Sequence, residues 1–183
     1  RVVPPRVREE VKRLRAGEDD FILGYLLDAG FATQVVAWHR RHPRVPLRVF
    51  WNGEGAEDGA LSFHPLDGAA FLDCMSRCRG YASTGGFESI CEAMYLGKPA
   101  MMVPAHAEQE LNAFDAARAG AGIVARGFDE LSSLLDYLPH HAPDPRFRTW
   151  VARADELFMA ALEERLLLRG DDVAGVLEGL QVK

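Results

Sequence analysis

The sequence has 183 residues, of which 48% are hydrophobic, and its 21 Lys and Arg stand against 27 Asp and Glu for a formal net charge of −6. That apolar share suffices for one domain with a real core, and the acidic balance argues against a nucleic-acid surface. No run approaches the roughly 20 apolar residues of a membrane-spanning helix, and three cysteines, Cys74, Cys78 and Cys91, are too few and too odd for a disulfide framework, so a reducing, cytoplasmic setting is expected.

The chain opens at Arg1, and Val3-Pro4-Pro5-Arg6 reads as exposed linker. Residues 1–17 are therefore expected to be an interdomain linker and 18–183 a domain, the whole being the back half of a longer protein. A processed or renumbered full chain is the alternative. The basic residues between Arg1 and Arg15 read as a solvated helix face, with contact to anionic lipid or to a preceding domain as the second reading.

The apolar run Phe21–Leu27 lies between Asp19-Asp20 and Asp28-Ala29-Gly30, which suits a strand buried on both faces. Helical spacing follows from Phe31 to His42 and stops at Pro43. A second strand covers Leu47–Trp51, a turn Asn52–Gly55 and a weak third strand Ala60–Phe63. A helix is expected over Ala69–Cys78. The fourth strand, Gly80–Ser83, leads into a helix over Gly86–Tyr95. The fifth, Ala100–Val103, leads into a helix over Glu108–Ala119. A sixth strand at Gly122–Ala125 precedes a helix at Asp129–Leu138. Amphipathic helices are expected over Trp150–Leu168 and Asp172–Leu180.

This alternation predicts an α/β fold: a Rossmann-like, doubly wound parallel sheet of about six strands with helices on both faces, then C-terminal helices. Ligands of such sheets bind outside the carboxyl ends of the strands. The turn Ser83-Thr84-Gly85-Gly86 joins a strand to a helix there. A helix N-terminus offers unpaired amides and partial positive charge, and glycines let a ligand approach closely, so the turn suits a phosphate. Plain helix capping is the competing reading. Glu92 lies one to two helical turns further on, where a carboxylate can accept hydrogen bonds from a ribose, unless it is a solvated surface acid. Glu88 would repel a phosphate and is read as pointing away. Neither the P-loop pattern nor G-x-G-x-x-G after the first strand occurs. Glu108 and Gln109 can hydrogen-bond a polyhydroxyl ligand, or cap a helix. The pairs His39/His42 and His140/His141 are poor candidates for metal.

The stretch FLDCMSRCRGYASTGGFESICEAMYLGKPAMMVPAHAEQELNAFDAARAGAG, Phe71 to Gly122, resembles the carboxy-terminal, donor-binding domain of GT-B glycosyltransferases. It is similar to the MurG-like, family 28-like branch, through Glu92-Ala93, Tyr95-Leu96-Gly97-Lys98-Pro99 and Glu108-Gln109 with Leu111-Asn112-Ala113. The resemblance implies a two-domain enzyme whose acceptor domain, holding the catalytic base, would precede this chain. It implies a diphosphate site at Ser83, Thr84, Gly85 and Gly86, a ribose contact at Glu92, and sugar contacts at Glu108, Gln109 and His106. Phe71, Leu72 and His64 would meet the nucleobase. It departs from plant and animal relatives at Thr84, where they carry a His, and from MurG-type enzymes in having less glycine after the first strand.

The implied activity is transfer of a hexosyl group from a nucleoside-diphosphate sugar, by family default a UDP-sugar, to an unknown acceptor, with inversion. No Asp-x-Asp pair is present, so neither a metal nor a cofactor is expected, and no catalytic residue is assigned in this chain. The isolated chain would be inactive, and any membrane association would come from the preceding part. A UDP-sugar 2-epimerase on the same scaffold is one alternative. The other is a non-catalytic nucleotide-binding or docking module, using the stripe Leu157, Phe158, Ala161 and Leu162.

Overall fold

The computed structural model describes residues 2–169. The chain divides into two compact units, one of residues 7–144 and one of residues 1–6 with 145–183. In the larger unit, helix α1 (Glu9–Arg13) precedes strand β1 (Ile22–Leu26), helix α2 (Ala29–Arg41) and strand β2 (Leu47–Trp51). Strands β3 (Ala56–Asp58) and β4 (Leu61–Pro65) follow, then helix α3 (Gly68–Arg77), strand β5 (Gly80–Ser83) and helix α4 (Phe87–Tyr95). Strand β6 (Ala100–Met102), helix α5 (Ala107–Arg118), strand β7 (Gly122–Val124) and helix α6 (Leu131–Tyr137) complete it.

The strands form one sheet in the order β3-β4-β2-β1-β5-β6-β7, parallel except that β3 runs antiparallel to β4. The expected Rossmann-like architecture is present, with seven strands rather than about six. The extra one is β3, all of whose residues are exposed, so it carries none of the apolar signal that marks the others. From β1 the chain winds outward through β2 and β4, then returns to place β5 on the other side of β1. The strand order reverses between β1 and β5, and their carboxyl ends flank the crevice that such a reversal opens.

Alternation along the strands feeds two apolar layers. On one face Ile22, Leu26, Val49, Ala82 and Met101 cluster with Trp38 of α2, Phe128 of a 3-10 turn (Phe128–Glu130), and Leu131 and Leu134 of α6. The helix expected over Asp129–Leu138 is thus a 3-10 turn followed by α6. On the opposite face Phe71 of α3 packs edge-on against Tyr25 and Tyr81, with ring centroids 5.3 and 6.0 Å apart.

The Gly97-Lys98-Pro99 sequence has a local cause. The Gly97 amide donates to Met94 O at 3.1 Å and the Lys98 amide to Ala93 O at 2.8 Å, closing α4 with a Schellman motif. Gly97 sits at φ +72°, the left-handed conformation that this motif requires. The Lys98 side chain is buried, and its ammonium donates to the carbonyls of Gly17 and Cys78.

Residues 7–13, expected within a linker, are packed: Val7 and Val11 are buried and Glu9–Arg13 is helical. Pro4, in the stretch read as exposed linker, is buried as well. In the smaller unit, helices α7 (Pro145–Ala152) and α8 (Ala154–Arg169) replace the single helix expected from Trp150. Phe158 of the predicted stripe is 54% exposed, while Leu157, Ala161 and Leu162 are half-buried. The helix expected over Asp172–Leu180 lies outside the described residues.

Candidate functional site

A cavity of about 670 Å³ is lined by the carboxyl-end residues Tyr25 and Phe50, by Leu66 to Gly68 and Phe71, and by the start of α4. It brings together four predicted positions: Gly86, Glu92, Phe71 and, from the first turn of α5, Glu108.

The turn into α4 is built from its own side chains. Ser83, buried at the end of β5, accepts a hydrogen bond from the Gly85 amide at 3.2 Å. Its hydroxyl and that amide are therefore partnered with each other. Gly85 has φ +79°, and the chain then enters α4 through Gly86, the N-cap. No side chain caps this end among the described residues; Ser89 instead donates to Gly86 O at 3.1 Å. The amides of the first turn have no intrahelical acceptor, and Gly86, Phe87, Glu88 and Ser89 of that turn line the cavity.

Thr84 is buried, and its hydroxyl accepts from the Gln109 side-chain amide at 3.3 Å. The Gln109 oxygen accepts from the Ala105 amide at 2.9 Å. Gln109 thus ties the turn after β5 to the loop after β6. His106 is the exposed N-cap of α5 and lies outside the cavity lining.

Glu92 is 2% exposed, and both its oxygens are held by Arg8: Nε donates to Oε1 at 2.6 Å and Nη2 to Oε2 at 2.7 Å. The carboxylate is not sealed in the apolar core, since Arg8 and Glu92 both line the cavity. The hydrogen bonds to Glu92 raise the Arg8 pKa above its usual value, with burial opposing and Glu88 adding a smaller push. Glu88 faces the same cavity, so the expectation that it points away is corrected: the first turn of α4 turns Glu88 and Ser89 together toward the opening.

The structure separates the three base-contacting candidates. Phe71 lines this cavity. Leu72, its neighbour on α3, lines a smaller one with Arg8, Glu10 and Leu14. His64 lies on β4, hydrogen-bonded to Ser62 Oγ at 2.9 Å and stacked on Phe50, and opens on another cavity of about 590 Å³. Sequence reasoning missed Arg8, Tyr25, Phe50, Asp67 and Phe87. The Asp-Gly pair at 67–68 was a usable signal: Asp67 caps α3, accepting from the Ala70 amide at 2.8 Å.

The sequence profile described as Glycosyl transferase family 1 matches residues 1–139, about three quarters of the chain. The chain belongs to glycosyl transferase family 1. Solved structures share the GT-B fold of the family. Among them are the spinosyn forosaminyltransferase SpnP (TM-score 0.56, 19% identity, covering 84% of this chain and 45% of that one) and the spinosyn rhamnosyltransferase SpnG complexed with thymidine diphosphate (0.54, 18%, 75% and 43%). The glycosyltransferase SnogD from Streptomyces nogalater is another (0.53, 16%, 84% and 43%). This family member spans less than half the length of each. Curated protein sequences gave no match. No helix among the described residues is long and apolar enough to cross a membrane, and none of their His, Cys, Asp and Glu side chains group in threes as metal ligands would.

Proposed function

We propose that the chain is the donor-binding half of an inverting, metal-independent glycosyltransferase that moves a hexosyl group from a nucleoside-diphosphate sugar. One observation carries the reading: the uncapped start of α4 and the carboxylate of Glu92 line one cavity at the point where strand order reverses. Glu92 stands six residues beyond Gly86, about 9 Å along a helix, which suits a diphosphate at the turn and a ribose at the acid. The base lies against Phe71 and Tyr25, whose ring faces tolerate either uracil or thymine.

Departure of the nucleoside diphosphate builds negative charge on its β-phosphate. The first-turn amides of α4 stabilise that charge, and the helix end does this without a metal. Because the Gly85 amide is engaged by Ser83, the donors are those of residues 86–88. Thr84 sits behind the turn, oriented by Gln109. Gln109, Glu108 and His106 receive the sugar, and fixing its hydroxyls orients the anomeric carbon toward the acceptor. The acceptor and its general base belong to a preceding domain. The MurG-like branch is our reading of the Tyr95–Pro99 and Glu108–Ala113 stretches.

Calorimetric titration of UDP and TDP into the chain, beside Glu92→Ala, tests this reading. Expected is binding of at least one nucleotide by the unsubstituted chain and a loss of about tenfold or more in the variant, the scale of a charge-assisted hydrogen-bond pair. Equal affinity removes Glu92 from the ribose.

A further inference from the structure

The donor reading leaves an electrostatic problem in this cavity. A nucleoside diphosphate is a multivalent anion, yet Asp67, Glu88, Glu92 and Glu108 line the space meant for it. Among the described residues lining that space Arg8 is the one cation. Its charge is directed at Glu92 by the two-point contact described above. A helix end contributes roughly half an elementary charge, and Glu88 in the same first turn works against it.

The Glu92 oxygens are also the acceptors that a ribose needs. With the guanidinium on both of them the carboxylate is 2% exposed, so ribose hydroxyls and Arg8 compete for one place. The Arg8 side chain itself is 47% exposed, so the guanidinium has solvent on one side of it. Its stem rises from the N-cap of α1, within the same compact unit as the cavity. Once the ribose takes Glu92, the nearest strong anion for a released guanidinium at this mouth is the diphosphate, which the planar fork of Arg suits.

Resting on the donor reading, we propose that Arg8 is an exchanged counter-ion: the ribose takes its place on Glu92, and the guanidinium passes to the diphosphate. Arg8 thereby positions the donor, making recognition of ribose and of phosphate interdependent. A nucleoside alone breaks the ion pair and gains nothing for it. A nucleoside diphosphate breaks it and restores the charge pairing.

The test is calorimetric titration of uridine and UDP, or thymidine and TDP if that pair binds more tightly, into the 183-residue chain and into Arg8→Ala. Thermal melts establish that the variant is folded, and Arg8→Gln, which keeps a hydrogen-bond donor for Glu92 but no charge, serves if Arg8→Ala is not. Expected is that the diphosphate-over-nucleoside affinity ratio falls by about fivefold or more, with the nucleoside bound no more weakly than before. The salt dependence of diphosphate binding flattens in parallel. A smaller fall in the ratio, or equal weakening of both ligands, overturns the exchange while leaving the donor site standing. Failure of the unsubstituted chain to bind either diphosphate overturns the donor site and the exchange with it.

Discussion

Gly85 shows how much a single position decides. A Cβ built there would lie 3.6 Å from Gln109 O and 3.7 Å from both Ala113 Cβ and Met102 Cβ, ordinary contacts, so the cost of Gly85→Ala is conformational. Holding a residue with a Cβ at φ +79° costs about 1–2 kcal/mol, and the melting temperature should drop accordingly. UDP affinity should drop too, because relief of the strain re-aims the first turn of α4. His141 gives a pH-dependent case. Burial lowers its pKa below the usual 6.5, with a hydrogen bond to the Gly97 backbone opposing. Above pH 6.5 the ring is neutral whether the chain is folded or not. As pH falls through 6.5 the unfolded chain takes up the proton first, so stability declines until the folded pKa is passed and then levels off. Denaturant melts from pH 8 to pH 5 should show that decline, and His141→Gln should flatten it. At this scale the juxtaposition of Gly86 and Glu92 along one cavity was legible, since it depends on spacing within one short stretch. Arg8 was not: its bond to Glu92 spans 84 positions, and a charge among other charges reads as solvated.

Elements were legible wherever burial wrote a period into the sequence. Strands β1, β2, β5 and β6 are almost wholly buried and stood out as apolar runs. Strand β3 has no buried residue and did not announce itself, while α1, with Val11 as its one buried residue, read only as a solvated helix face. Two substitutions test how the elements hold together. Leu134 of α6 is fully buried in the core cluster, and Leu134→Ala should cost about 2–5 kcal/mol in a denaturant melt, with nucleotide affinity unchanged because α6 lies on the sheet face away from Phe71. Lys98 ties the segment after α1 to the end of α3 through the carbonyls of Gly17 and Cys78. Burial lowers the pKa of its ammonium, but the two acceptors keep it in place. Lys98→Met should cost about 1–3 kcal/mol for the buried Cys78 carbonyl left unsatisfied, the exposed Gly17 carbonyl turning to water, and limited proteolysis should find residues 14–18 newly open to cleavage.

For the whole molecule, the alternation of strand and helix was enough to announce a doubly wound sheet, while the division into two units was not. Pro139, Pro143 and Pro145 mark a break in the chain there, but a break alone does not tell a surface loop from a boundary between units. If the larger unit binds a nucleotide, it must gain stability from doing so. UDP at a hundred times its dissociation constant should raise unfolding free energy by about 2.7 kcal/mol in the unsubstituted chain and by much less in Glu92→Ala at the same concentration. A melting temperature unmoved by UDP and TDP alike would sink the donor reading without any need for an acceptor or for turnover.

The cysteines suggest a way to watch the fold breathe. Burial pushes the thiols of Cys78 and Cys91 up to about 12, and Cys78 donates its S–H to Met75 O at 3.4 Å. Alkylating reagents attack the thiolate, which is vanishingly scarce at neutral pH for such groups. Labelling therefore has to wait for α3 or α4 to detach from the sheet. With one thiol beside the Lys98 anchor and the other next to Glu92, mass spectrometry of the labelled peptides yields two separate clocks, and a nucleotide that slows only the Cys91 clock has revealed where it sits.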